Sequence, residues 1–151
     1  MENNTSNREL SISRTLDAPI ELVWEVWTKP EHIQHWWGPN GFTNTIQIMD
    51  FKENGEWKFT MHGPDGKNYP NRSVFKEIVP LQKIVFEHFN PHFITTILFE
   101  AMGDKTHMKW TALFDSEEIL DIIVKAHNAK EGQRQNIERL ESYLSKFPNK
   151  P

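Results

Sequence analysis

Residues 55–79 read GEWKFTMHGPDGKNYPNRSVFKEIV. Trp57, Phe59 and Met61 alternate with polar neighbours, the period-two pattern of a half-buried strand. Gly63-Pro64-Asp65-Gly66 is a turn signal, and the chain returns with Asn71, Ser73, Phe75, Glu77 and Val79 on one face. The same rhythm extends outward. Upstream, Phe42, Ile46 and Ile48 alternate. Downstream of Pro80 come Ile84, Phe86 and His88. After Asn90-Pro91 follow Thr95, Ile97 and Phe99, and after Gly103-Asp104 come Met108, Trp110, Ala112 and Phe114. Short strands joined by short turns predict an antiparallel meander. Leu10, Ile12 and Leu16 add a strand at the start, where Arg14 interrupts the stripe and reads as a strand-end ion pair.

Helices frame the strands. Pro19 sits where a first helical turn tolerates the missing N–H, and Glu21 suits the helix dipole. Ile20, Val23, Trp24 and Trp27 then recur at helical spacing. Pro30 starts a second short helix reaching Trp36 or Trp37, ended by Gly38-Pro39-Asn40-Gly41. Asp115 with Glu118 forms the pattern of a capping box. It opens a long last helix to Lys146 with a buried stripe of Ile119, Leu120, Ile123, Ala126, Ile137, Leu140 and Leu144. Gly132 inside it marks either a kink or a close approach to the sheet. The reading is therefore α+β, with about six to seven strands, two short helices and a long C-terminal helix. The expected domain spans 9–147, between tails at 1–8 and 148–151.

Composition narrows the function. A chain of 151 residues suits one core, and six Trp and ten Phe supply it. Net charge is −4 and the basic residues form no stripe, against a nucleic-acid surface. No apolar run is long enough for a membrane span, and residues 1–9 lack a signal-peptide core. The expected address is cytoplasmic. The absence of Cys excludes disulfides and thiolate chemistry. Asn4-Thr5-Ser6 and Asn71-Arg72-Ser73 match the glycosylation pattern and read as chance. His32 and His35 share a helical face, but His62, His88, His92, His107 and His127 are scattered, so no metal site is expected. No cofactor is expected either. Gly38-Pro39-Asn40-Gly41 is a turn and not a phosphate loop.

An even-length loop at Pro80-Leu81 would pair Phe75 with Phe86 and Ser73 with His88. A matching register at 63–68 would pair Trp57 with Phe75 and Phe59 with Ser73. The inner face then carries a row of Trp57, Phe75 and Phe86, a row of Phe59, Ser73 and His88, and Met61 and Asn71 one step out. Aromatic walls beside a few polar groups describe either a ligand pocket or a core with its polar residues bonded at the edge.

Asp17-Ala18-Pro19 with Val23-Trp24, followed by His35-Trp36-Trp37-Gly38-Pro39, resembles the START-like (SRPBCC) superfamily. More narrowly it is similar to the branch named after the activator of the heat-shock protein 90 ATPase. Gly55-Glu56-Trp57, the run from Met61 to Gly66, Tyr69-Pro70-Asn71-Arg72, Glu77-Ile78-Val79-Pro80, Phe99-Glu100 and Glu131-Gly132 extend the likeness over residues 9–146. The resemblance implies a helix-grip fold, a curved sheet around the C-terminal helix, with a cavity for a hydrophobic compound. Where this branch often carries Trp after Glu131-Gly132, this chain has Gln133, which implies a larger or more polar pocket, or a Gln at the helix edge. Binding of a small hydrophobic molecule is the leading expectation. Trp37, Trp57, Phe59, Met61, Phe75, Phe86 and Trp110 would form walls and mouth, and Asn71, Ser73, His88 and Gln133 the polar anchors. The alternatives are a polyketide cyclase or dehydratase using His88 and Glu77, and a co-chaperone, against which nothing before Glu9 supplies the activator's extra N-terminal domain. A homodimer through exposed strand edges is a further expectation.

Overall fold

The computed structural model describes residues 6–89 and 91–147. Residues 1–5 and 148–151 of the expected tails, Asn4 of the first acceptor pattern, Asn90 of the Asn90-Pro91 turn and the side chain of His127 lie outside the described part. After a short 3-10 turn at Ser6–Arg8 the order is β1 (Glu9–Leu16), α1 (Ile20–Thr28), α2 (Pro30–Ile33), β2 (Thr43–Met49), β3 (Glu56–His62), β4 (Asn68–Val79), β5 (Lys83–Phe89), β6 (Phe93–Met102), β7 (Lys105–Phe114), α3 (Glu117–His127) and α4 (Ala129–Leu144). All strands join one antiparallel sheet in the order β1-β7-β6-β5-β4-β3-β2. This is an α+β helix-grip fold, with one sheet face turned to the helices.

Local chemistry moves several boundaries. Pro19 is extended and caps α1 from outside, its carbonyl accepting from Leu22 and Val23 N–H. α2 stops at Ile33, short of the Trp pair, because the chain tightens there: Trp36 N–H donates to Ile33 O at 3.3 Å. Trp36 is fully buried and its indole N–H donates to Val26 O at 3.1 Å. Ser116, not Asp115, caps α3, its hydroxyl accepting from Ile119 N–H at 3.1 Å. The expected single long helix is two. Asn128 takes the left-handed conformation at φ 51° and ψ 51°, which Asn tolerates better than most residues. The break lies there and not at Gly132, and it leaves Ala126 exposed instead of on the buried stripe.

Registers differ from expectation in an instructive way. The β3–β4 loop spans residues 63–67, closed by Gly63 N–H to Lys67 O at 2.8 Å, with Asp65 Oδ1 accepting from Lys67 N–H. The turn therefore centres on Asp65, and Trp57 pairs with Ser73 and Phe59 with Asn71, two residues from the expected partners. The face is kept because side chains repeat every two residues. Phe75 pairs with Phe86 and Ser73 with His88 as expected. The reason is different, however: the loop after Val79 has three residues, and a bulge between Phe75 and Glu77 restores the pairing. That bulge sends Glu77 and Val79 to the outer face. A second bulge between Ile46 and Ile48 turns Ile48 outward, 43% exposed, while Met49 packs on the core. At Gly55 a Cβ would lie 1.9 Å from Asp50 O, so no side chain fits the turn into β3.

Candidate ligand cavity

The inner face is a lattice of rows. One row runs Trp57, Ser73, His88, Phe93, Phe114 from β3 to β7, and the next runs Phe75, Phe86, Thr95, Ala112, Leu10 from β4 to β1. α4 crosses above them, tied to β1 by an Arg14–Glu141 ion pair at 2.8 Å, the bond expected of Arg14. Between helix and sheet lies a cavity of about 250 Å³. Ligand pockets usually run from about 300 Å³ upward, so this is a small one.

Ten of the eleven residues expected at a binding site line this cavity. Trp57, Phe59, Phe86 and Trp110 are buried walls. Trp37 is half-buried and stacks on Trp110 at 5.4 Å, with Trp57 edge-on at 5.2 Å. Met61, Asn71, Ser73, His88 and Gln133 complete the ten. Phe75 is the exception. It stacks behind Trp57, with centroids 5.9 Å apart, against Phe51 in the solid core. Asn71 lines the cavity, which places the second glycosylation pattern on the inner face. Thr95, Phe93, Phe114 and Asn136 also line it and are not among the expected site residues. Asn136 could have been found from its place three residues after Gln133 on one helical face.

The loop carrying Trp37 is held from α4. Asn136 accepts from Gly38 N–H at 3.1 Å and donates to Trp36 O at 2.9 Å. Arg139 donates to five carbonyls, those of His35, Trp37, Gly38, Pro39 and Phe42. Gln133, buried, donates its amide to Leu10 O and Trp110 O at 3.3 and 3.4 Å.

His88 is buried, stacked on Phe93 at 4.4 Å. Its Nδ1 lies 2.8 Å from Pro91 O, and a carbonyl can only accept, so Nδ1 carries the proton. Its Nε2 lies 2.8 Å from Asn71 Oδ1, and the Asn71 amide nitrogen donates to Tyr69 O at 2.9 Å. Burial lowers the His88 pKa, outweighing the Pro91 hydrogen bond that raises it. The expected acid–base partner is elsewhere: Glu77 lies on the outer face and pairs with Lys83 at 3.0 Å. No Asp, Glu, Lys or Arg among the described residues lines the cavity. Two residues of the lining each bury a polar atom with no partner among the described residues, Ser73 its Oγ and Trp57 its Nε1.

Among the described residues no group of three or more His, Asp or Glu could hold a metal ion, and no helix is long and apolar enough to cross a membrane. Comparison with known proteins gives a family and a fold. A family model described as Activator of Hsp90 ATPase homolog 1-like protein matches residues 17–145. No curated protein matches the sequence. Among solved structures, a protein from Arthrobacter aurescens is similar with a TM-score of 0.88 at 24% identity, covering 99% of this chain and 93% of that one. A Nitrosomonas europaea protein gives 0.85 at 21% identity, covering 93% and 96%. The AHSA1 protein of Silicibacter pomeroyi gives 0.74 at 17% identity, covering 91% and 97%. At these identities the structural likeness is one of fold.

Proposed function

The chain belongs to the Activator of Hsp90 ATPase homolog 1-like family, and on that premise we propose that it binds a small, largely apolar molecule in the cavity between α3–α4 and the sheet. The observation that carries this reading is the lining: aromatic walls, a few buried polar groups and, among the described residues, no charged side chain. Burying apolar surface against such walls supplies affinity at roughly 25 cal/mol per Å², and the polar groups set orientation. A dry cavity of about 150 Å³ accepts benzene, so about 250 Å³ suits one or two fused rings or a short chain. The family description also suggests stimulation of a chaperone ATPase. The features that distinguish this chain are interior ones, and they speak for a small molecule.

A thermal-shift panel of aromatic and short-chain lipid compounds tests the reading. A ligand at one hundred times its Kd stabilises the fold by about 2.7 kcal/mol. The expected result is a concentration-dependent rise in melting temperature for compounds of one or two rings, weakened by Phe86→Ala. A flat response across the whole panel would overturn the proposal.

A further inference from the structure

Two residues of the cavity lining each carry a donor without a partner, and the β3–β4 register sets those residues side by side. Trp57 and Ser73 are directly opposed across antiparallel strands, and both are buried. Opposed side chains start about 4.5–5.5 Å apart at Cβ. The indole Nε1 of Trp57 can only donate, and among the described residues it has no acceptor. The Ser73 hydroxyl is equally unpartnered. The next residue on the row, His88, has both ring nitrogens engaged, by Pro91 O and Asn71. The Gln133 and Asn136 amide nitrogens are committed to backbone carbonyls.

Buried donors are nearly always satisfied, so an unpaired pair in the lining of a cavity marks where a ligand acceptor goes. We propose that the ligand of this cavity is an uncharged molecule bearing an acceptor oxygen of the carbonyl type, held by Trp57 Nε1–H and Ser73 Oγ–H, with its apolar body toward Phe86, Trp37 and Trp110. This rests on the reading of the cavity as a ligand site and names the ligand's chemistry. Charge enters through solvation. A carboxylate here would meet no cation among the lining residues, and the Arg139 guanidinium that holds the Trp37 loop is spent on five carbonyls. An ion buried without a counter-charge is strongly disfavoured. A carbonyl oxygen accepts two hydrogen bonds and stays neutral.

The test uses three probes of one shape on the full chain: 2-acetylnaphthalene, its hydrocarbon counterpart 2-isopropenylnaphthalene, and 2-naphthoate. Calorimetry gives affinities, and infrared difference spectra follow the ketone C=O stretch. Wild type is compared with Ser73→Ala and Trp57→Phe, singly and together. The expected result is that the ketone binds wild type roughly tenfold or more tighter than the hydrocarbon. Its stretch moves to lower frequency, and both differences close in the double variant. The naphthoate binds worst. Equal affinities with an unshifted stretch, or tightest binding of the naphthoate, would overturn this proposal and leave the cavity reading standing. Failure of all three to bind would sink the cavity reading and this proposal with it. If Trp57→Phe does not fold, Ser73→Ala and the stretch in wild type decide the matter.

Discussion

At the scale of single residues, the groups that matter most are those whose hydrogen bonds are unmade or contested. Ser73 buries a hydroxyl with no partner among the described residues. Such a group costs about 1–3 kcal/mol, so Ser73→Ala in the free protein is expected to be neutral or stabilising, by about 1 kcal/mol. Chemical denaturation checks this; a loss of stability would show that Ser73 bonds something in the folded chain. His88 and His92 give a pH signature. Burial lowers the His88 pKa, so the unfolded chain takes up its proton first, and stability falls as pH drops from roughly 6.5 toward the folded value. The carboxylates of Glu87 and Asp115, at 2.7 and 2.9 Å, raise the His92 pKa. Stability from His92 is therefore full below roughly 6.5 and is lost as pH rises through its folded value. The pair predicts a stability maximum close to neutrality. In denaturant midpoints measured against pH, His92→Gln should remove the alkaline-side decline and keep the acid-side one. Persistence of the alkaline decline in that variant would refute the assignment.

At the scale of elements, two devices place the cavity lining. Arg139 binds the 35–42 loop to α4 through five carbonyls. Hydrogen bonds to a charged group contribute about 1.5–3 kcal/mol, and Arg139→Met is expected to cost about that much. Hydrogen exchange should then quicken at residues 35–42 and stay unchanged in β6 and β7. Asn128 ends α3 in the left-handed conformation. A side chain without local hydrogen bonding pays about 1–2 kcal/mol there. Asn128→Ala should be destabilised by about 1 kcal/mol and Asn128→Gly little or not at all. Equal effects would deny that the backbone conformation is what the residue supplies.

The same elements show what was legible beforehand. Alternation in the strands revealed every strand and most of the inner face, because period two survives a two-residue shift. Eight of the ten cavity-lining residues follow from it; Trp37 and Gln133 lie outside the strands. Alternation cannot announce a bulge, and the extra residue near Lys76 moved Glu77 to the outer face. Nor does Gly-Pro-Asp-Gly fix a loop length, so Trp57 was placed beside Phe75 when it stands beside Ser73. The helix break was hidden because Asn128 occupies a left-handed position with no glycine to flag it. Phe75 belonged to the right face but the wrong depth, which only packing decides.

For the whole molecule, sheet and helices close over an aromatic interior that is not quite filled. About 250 Å³ remains, at the level of the Trp57–Ser73–His88 row. The family places the chain among helix-grip domains, and the cavity has room for the proposed ligand. Native mass spectrometry of the purified protein, with identification of any small molecule released on denaturation, tests this most directly. The expected result is a one-to-one adduct with an uncharged, ring-containing compound that carries a carbonyl-type oxygen. A clean unliganded mass, unchanged on adding 2-acetylnaphthalene in excess, would contradict it.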